Sequence, residues 1–156
     1  MTQRIVQLRA GGGVWTNYAK SQRNVFFFAY AREFLRAALK TGSPLVRAYL
    51  LGHALELMLK TYLLTTGVGE REIRKLKHNL SRTLAKSREA SLEQLVRVSP
   101  ETEQALRDFS SVYASEAFRY FSILHLLTPP SLPDLRRLTR FARILEKQLA
   151  IRVRAA

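Results

Sequence analysis

Cysteine is absent from the 156 residues, so disulfides, thiolate-bound metals and a cysteine nucleophile are excluded. Acidic residues are scarce. Twelve Asp and Glu stand against 26 Lys and Arg, a formal net charge of +14. A surplus of that size favours an anionic partner through long-range attraction; the alternative is a compositional habit that leaves a solvated basic surface. No long apolar run is free of charge, because the most hydrophobic stretch carries Arg47, His53, Glu56 and Lys60. No segment therefore reads as membrane-spanning, and no membrane partner is expected. No N-terminal secretory signal is visible, and the expected location is cytoplasmic. Strand-like alternation and repeats of fixed period are also missing. Zinc-type ligand spacing, a nucleophile elbow and a paired acidic dyad do not occur, so no metal and no cofactor are expected.

What is present is helical periodicity, punctuated by well-placed prolines and glycines. The stretch from Ser43 to Gly67 organises the chain. Ser43 suits an N-cap, Pro44 a first turn, and Gly67 a left-handed stop. Between them Leu45, Val46, Tyr49, Leu50, Leu51, Leu55, Met58, Leu59, Tyr62 and Leu63 are apolar around most of the circumference. Such a helix is expected at the centre of the fold, buried. His53, Glu56 and Lys60, at i, i+3 and i+7, put one polar stripe on it.

Before this stretch, residues 17 to about 40 read as a helix whose inner stripe is Val25, Phe28, Ala31, Phe34 or Leu35, and Ala38. Phe26, Phe27 and Tyr30 widen the stripe. Gly42 ends it, and so short a connection makes the two helices antiparallel neighbours. After Gly67, residues 70–76 read as a short helical turn. Asn79 caps a helix over Leu80, Leu84 and Ser87. Ser99-Pro100-Glu101 starts another, running through Leu106, Phe109, Val112 and Tyr113 toward Phe118, with a break near Ser115. Thr128-Pro129-Pro130 stops it. Ser131 and Asp134 resemble a capping box for a last helix with Leu135, Leu138, Phe141 or Ala142, Leu145 and Leu149 inside. The fold class is all-α, an up-and-down bundle of about five helices. Residues 1–16, with three consecutive glycines, read as a flexible arm, and residues 17–156 as a single domain. No strand precedes those glycines and no Lys-Ser/Thr follows, which argues against a phosphate loop.

Four groups of residues can carry chemistry or binding. Glu56 and Lys60 either pair as a salt bridge or wall a ligand site, because an unpaired buried charge is too costly. His78, just before the Asn79 cap, either meets an anion where N–H groups converge or is a surface loop histidine. Arg119 lies among aromatics in Glu116-Ala117-Phe118-Arg119-Tyr120-Phe121, where it stacks or pairs with Glu116 or Glu56. Arg136, Arg140, Arg143 and Lys147 line the last helix at i, i+4, i+7 and i+11. They form either a solvated face or a phosphate-binding one.

In this order the elements resemble the HEPN superfamily of small α-helical domains. The resemblance lies in Gly52-His53-Ala54-Leu55-Glu56-Leu57-Met58-Leu59-Lys60 on a central helix, Lys77-His78-Asn79-Leu80 opening the next, and the later Arg119-Tyr120. It spans roughly residues 25–150, and Asn79 stands where similar members often have Asp. The resemblance implies a homodimer and an RNA- or nucleotide-binding domain. In active members it implies a metal-independent endoribonuclease whose signature is Arg, four to six residues, then His. It equally allows a non-catalytic module beside a nucleotidyltransferase or a defence or toxin–antitoxin component.

Three pairs satisfy that spacing: Arg47 with His53, Arg71 with His78, and Arg119 with His125. Positions six apart lie about 240° around a continuous helix, so Arg119 and His125 share a face only across a break. Arg71 and His78 align if their segment is helical. The expected catalytic residues are Arg119, His125 and His78, in a pocket walled by Glu56, Lys60, Asn79 and Tyr120. Nucleic acid would bind Arg136, Arg140, Arg143 and Lys147. The apolar dimer face would come from the first or the last helix.

Overall fold

The computed structural model describes residues 17–114 and 132–155. These residues form α1 (Asn17–Lys40), α2 (Pro44–Thr65), α3 (Glu70–Lys75), α4 (Leu80–Glu89), a single 3-10 turn (Leu92–Gln94), α5 (Pro100–Ala114) and α6 (Leu135–Ala155). The described residues contain no strand. The molecule is an all-α bundle, and the expected short turn after α2 is the one-and-a-half-turn α3. Residues 1–16, the expected arm, lie outside the described residues.

The boundaries follow from local chemistry. The Ser43 hydroxyl accepts from the Val46 N–H at 3.4 Å, with Pro44 in the first turn. Gly67 has φ +88°, the left-handed conformation that costs a side-chain-bearing residue about 1–2 kcal/mol. Asn79 Oδ1 accepts from Arg82 N–H (2.8 Å) and Ser99 Oγ from Thr102 N–H (3.2 Å). At α6 the expected capping box is corrected. Asp134 is itself the cap: its Oδ1 accepts from Arg137 N–H at 2.9 Å. The helix thus starts one residue past Asp134, and that carboxylate also favours the positive end of the helix dipole.

α2 is the hub and touches every other described helix. From Ala48 to Leu64 most of its side chains are buried. Its first turn is not: Leu45 and Val46 are exposed. α1 runs antiparallel to α2, as the three-residue link requires. Arg23 near the start of α1 reaches Glu70 just past the end of α2, at 3.5 Å. α6 runs alongside, with Arg152 Nε donating to Thr65 Oγ1 (2.9 Å) at the shared end and Arg32 of α1 pairing with Glu146 (2.9 Å).

The inner stripe of α1 differs from the expected one by one position. Asn24 is 7% exposed and Val25 is 42% exposed. The buried set is Asn24, Phe28, Ala31, Leu35 and Ala38, a clean four-three alternation. Phe26 and Tyr30, expected to widen the inner stripe, point outward at 60% and 62% exposure. In α6, Phe141 and Ala142 are both buried. No helix among the described residues is long and apolar enough to cross a membrane.

Candidate functional site

Glu56 lies at the middle of the most apolar helix and is buried, as is Lys60 one turn later. A carboxylate there survives only if its lone pairs are filled by donors. Three donors from three parts of the chain fill them. Lys60 Nζ donates to Glu56 Oε1 at 2.5 Å and to the Lys77 carbonyl at 2.7 Å. Glu56 Oε2 accepts from the Tyr113 hydroxyl of α5 at 2.8 Å. His78, from the turn before α4, places Nδ1 3.1 Å from the same oxygen.

The turn that delivers His78 has a cost of its own. Lys77 has φ +49°, uncommon for a residue with a side chain. That conformation presents the Lys77 carbonyl to Lys60 while His78 turns to Glu56. Lys60 therefore stitches α2 to the turn with its charge and its proton donors together.

Proton counting orders the cluster. Tyr113 has one hydroxyl proton and gives it to Glu56. His53 Nδ1, 2.9 Å from the same phenolic oxygen, is then the donor to it. His78 Nδ1 likewise donates to Glu56, which leaves His78 Nε2 for whatever approaches from outside. The His78 side chain is 49% exposed while the carboxylate behind it is enclosed. Burial pushes the Glu56 carboxyl up, but the Lys60 hydrogen bond and charge, then Tyr113 and His78, outweigh it. The net effect holds Glu56 below its ordinary value, ionised at neutral pH.

His53 completes the wall. Its ring stacks on Phe34 (centroids 5.0 Å) and meets Tyr49 and Tyr113 edge-on at 4.6 and 5.6 Å. Tyr113 is a site residue that helical periodicity alone does not reveal. Its signal was Gly52, a glycine inside an otherwise Leu-rich helix, which marks a close approach. A Cβ on Gly52 would sit 2.6 Å from two carbons of the Tyr113 ring.

The structure thus brings together Glu56, Lys60 and His78 from the expected set. Asn79 is adjacent, but its side-chain oxygen caps α4 and lies 3.4 Å from the Ser110 hydroxyl, which donates to it. Arg119, Tyr120 and His125 lie outside the described residues. The pairing of Arg71 with His78 along one helix is corrected: α3 ends at Lys75, and a turn separates them. Arg47 turns away from His53 to donate to the Thr41 carbonyl at 2.9 Å.

Arg136, Arg140, Arg143 and Lys147 are exposed on the side of α6 opposite its buried residues. They face away from α2, so they and the Glu56 cluster are separate surfaces. Exposed Arg154 joins them 18 residues after Arg136, five full turns on and about 27 Å along the axis. Among the described residues, no group of three or more His, Asp or Glu is placed to hold a metal ion. No family model matches this chain, and no curated protein or solved structure matches it either.

Proposed function

We propose that the chain is a HEPN-type domain that binds RNA and cleaves its backbone without a metal. One observation carries this reading: a buried, ionised Glu56 grips the half-exposed His78 ring by Nδ1, which leaves Nε2 for a substrate, on a chain of net charge +14. A carboxylate behind an imidazole fixes its tautomer and direction, which suits a general base. In the proposed step His78 Nε2 takes the proton of a ribose 2′-hydroxyl. That oxygen attacks the adjacent phosphorus, and the 5′-oxygen leaves with a proton. The products carry a 2′,3′-cyclic phosphate and a 5′-hydroxyl. Arg119 would neutralise charge on the five-coordinate phosphorus and His125 would protonate the leaving oxygen, the roles that the HEPN resemblance implies. Arg136, Arg140, Arg143 and Lys147 would attract the phosphate backbone without regard to sequence. The test is incubation with several single-stranded RNAs in excess chelator, for the wild type and for His78→Ala, Arg119→Ala and His125→Ala. Cyclic-phosphate products from the wild type, lost in the variants, support the reading. No product from the wild type on any RNA ends it.

A second reading rests on a different observation. The outer face of α1 exposes Phe26 and Tyr30, one turn apart, beside Ala29 and Ala37. Such a face suits a protein contact: a homodimer, or a non-catalytic module beside a nucleotidyltransferase or toxin–antitoxin component. Of the first and last helices, α1 fits better, since two copies of the α6 face would repel. Light scattering of the wild type and of a Phe26→Ser/Tyr30→Ser variant tests it. A dimer that the double substitution converts to monomer supports the contact, and a wild-type monomer counts against self-association.

A further inference from the structure

Away from the Glu56 cluster, a concavity lies between the start of α5 and the flank of α6. Its volume is about 210 Å³, and Arg97, Arg137 and Arg140 wall it above Phe141 and Ile144. Three guanidinium groups around one hollow are not what folding alone favours. They repel one another, and each long side chain loses rotamer freedom when held. Carboxylates compensate one of the three. Arg137 lies 3.4 Å from Asp134 and 4.0 Å from Glu101. Arg97 and Arg140 have no ion pair among the described residues.

A larger hollow of about 460 Å³ lies on the other side of Arg137 and carries Glu101, Asp108 and Asp134. Arg137 is thus the partition between an acidic hollow and a basic one, and its partners stand on the acidic side. The basic hollow keeps Arg97 and Arg140 for a guest, over a floor in which Phe141 is buried and Ile144 half-exposed.

We infer that the basic hollow binds the phosphate of a nucleoside phosphate, with Arg97 and Arg140 on the phosphate and Phe141 and Ile144 beneath the nucleoside. A guanidinium fork matches phosphate oxygens two at a time, and an apolar floor suits a base or sugar face rather than a bare ion. Size narrows the guest. The hollow holds several waters, each about 30 Å³, yet it falls short of the roughly 300 Å³ at which drug-sized sites begin. A phosphate with its ribose fills about that volume, the base then lying across the mouth over Ile144, and a dinucleotide cofactor overruns it. Arg140 belongs also to the outer stripe of α6, so an RNA lying along the stripe would bring its terminal phosphate to the hollow. The guest is a phosphate monoester on a nucleoside, either free or at an RNA end. The inference is independent of His78 and of any cleavage.

The experiment is calorimetric titration at low salt with AMP, with adenosine, and with a short oligoribonucleotide bearing a 5′-phosphate or a 5′-hydroxyl. AMP is expected to bind and adenosine to bind at least about tenfold more weakly. Arg97→Gln and Arg140→Gln are each expected to weaken AMP about tenfold, the scale of one charge-assisted contact. Arg74→Gln, exposed on α3 and paired with Glu70 away from the hollow, leaves AMP binding unchanged. A 5′-phosphate preference of the oligonucleotide that exceeds the AMP effect identifies an RNA end as the source; an oligonucleotide no tighter than AMP identifies the free nucleotide. Equal binding of AMP and adenosine overturns the inference. So does wild-type AMP affinity in Arg97→Gln and Arg140→Gln, or an equal loss in Arg74→Gln.

Discussion

Gly52 and Tyr113 are in a contact that admits no side chain. A Cβ on Gly52 would lie 2.6 Å from Cδ2 and Cε2 of the Tyr113 ring and 3.2 Å from Phe109 Cζ. The absent methyl lets the ring lie against α2, and from there the hydroxyl reaches Glu56 at 2.8 Å.

Gly52→Ala tests this contact. In an exposed helix the change would stabilise by up to about 1 kcal/mol. Here overpacking against two ring carbons is worth about 1–3 kcal/mol in the other direction, so a net loss is expected. Urea denaturation measures it. In a Tyr113→Ala background the loss is expected to shrink or reverse, because the clashing atoms are gone. Equal losses in both backgrounds would contradict the contact.

Lys60 is the principal charge partner of Glu56. Lys60→Met leaves a buried carboxylate with hydrogen bonds but no cation, and the expected loss is about 3–5 kcal/mol. Glu56→Gln combined with Lys60→Met removes both charges. The double variant is expected to be more stable than the sum of the two single losses requires, and a denaturant double-mutant cycle reads the difference. Strict additivity would mean that the pair is not coupled.

Acid sensitivity follows from the same carboxylate. The folded Glu56 lies below the ordinary value of 4.5, because its donors outweigh burial. A group depressed in the folded state stabilises fully above its unfolded pKa, and that contribution fades as pH falls through the lower, folded one. Between pH 7 and pH 3 the wild type is therefore expected to lose more stability than Glu56→Gln. Exposed Glu101 and Asp134 are also held below their ordinary values and give a background common to both proteins. Parallel stability–pH profiles would contradict an ionised Glu56.

The α6 face carries a salt-dependent prediction. Substituting Gln at Arg136, Arg140, Arg143 and Lys147 is expected to weaken single-stranded RNA regardless of sequence. The slope of log affinity against log salt should fall by about 0.7 for each phosphate contact removed. Filter binding across a salt series reads both. An unchanged slope would make the stripe a solvated face.

Much of this architecture was legible in the residues. Ser43-Pro44, Asn79 and Ser99-Pro100 each bring a cap whose chemistry is local, and each starts the helix they announce. The stripe of His53, Glu56 and Lys60 was readable because i, i+3 and i+7 fall on one face whatever surrounds them. What escaped was set by tertiary contact. Asn24 rather than Val25 turns inward, since the packing of α1 against its neighbours outweighs the apolar preference of a single residue. Tyr113 lies 57 positions from Glu56, and only the approach of α5 to Gly52 unites them. The separation of Arg71 from His78 hinges on Lys77 taking a left-handed conformation, for which its residue type gives no signal.

The most direct measurement is the rate of RNA cleavage in excess chelator by the wild type and by His78→Ala, with thermal unfolding followed in parallel. His78 is half-exposed, so its loss should leave the fold standing while removing the proposed base. The expected result is cleavage by the wild type and a loss of about a hundredfold or more in a variant that still unfolds cooperatively. A folded His78→Ala protein that cleaves as fast as the wild type, or a wild type inert toward every RNA offered, would contradict it.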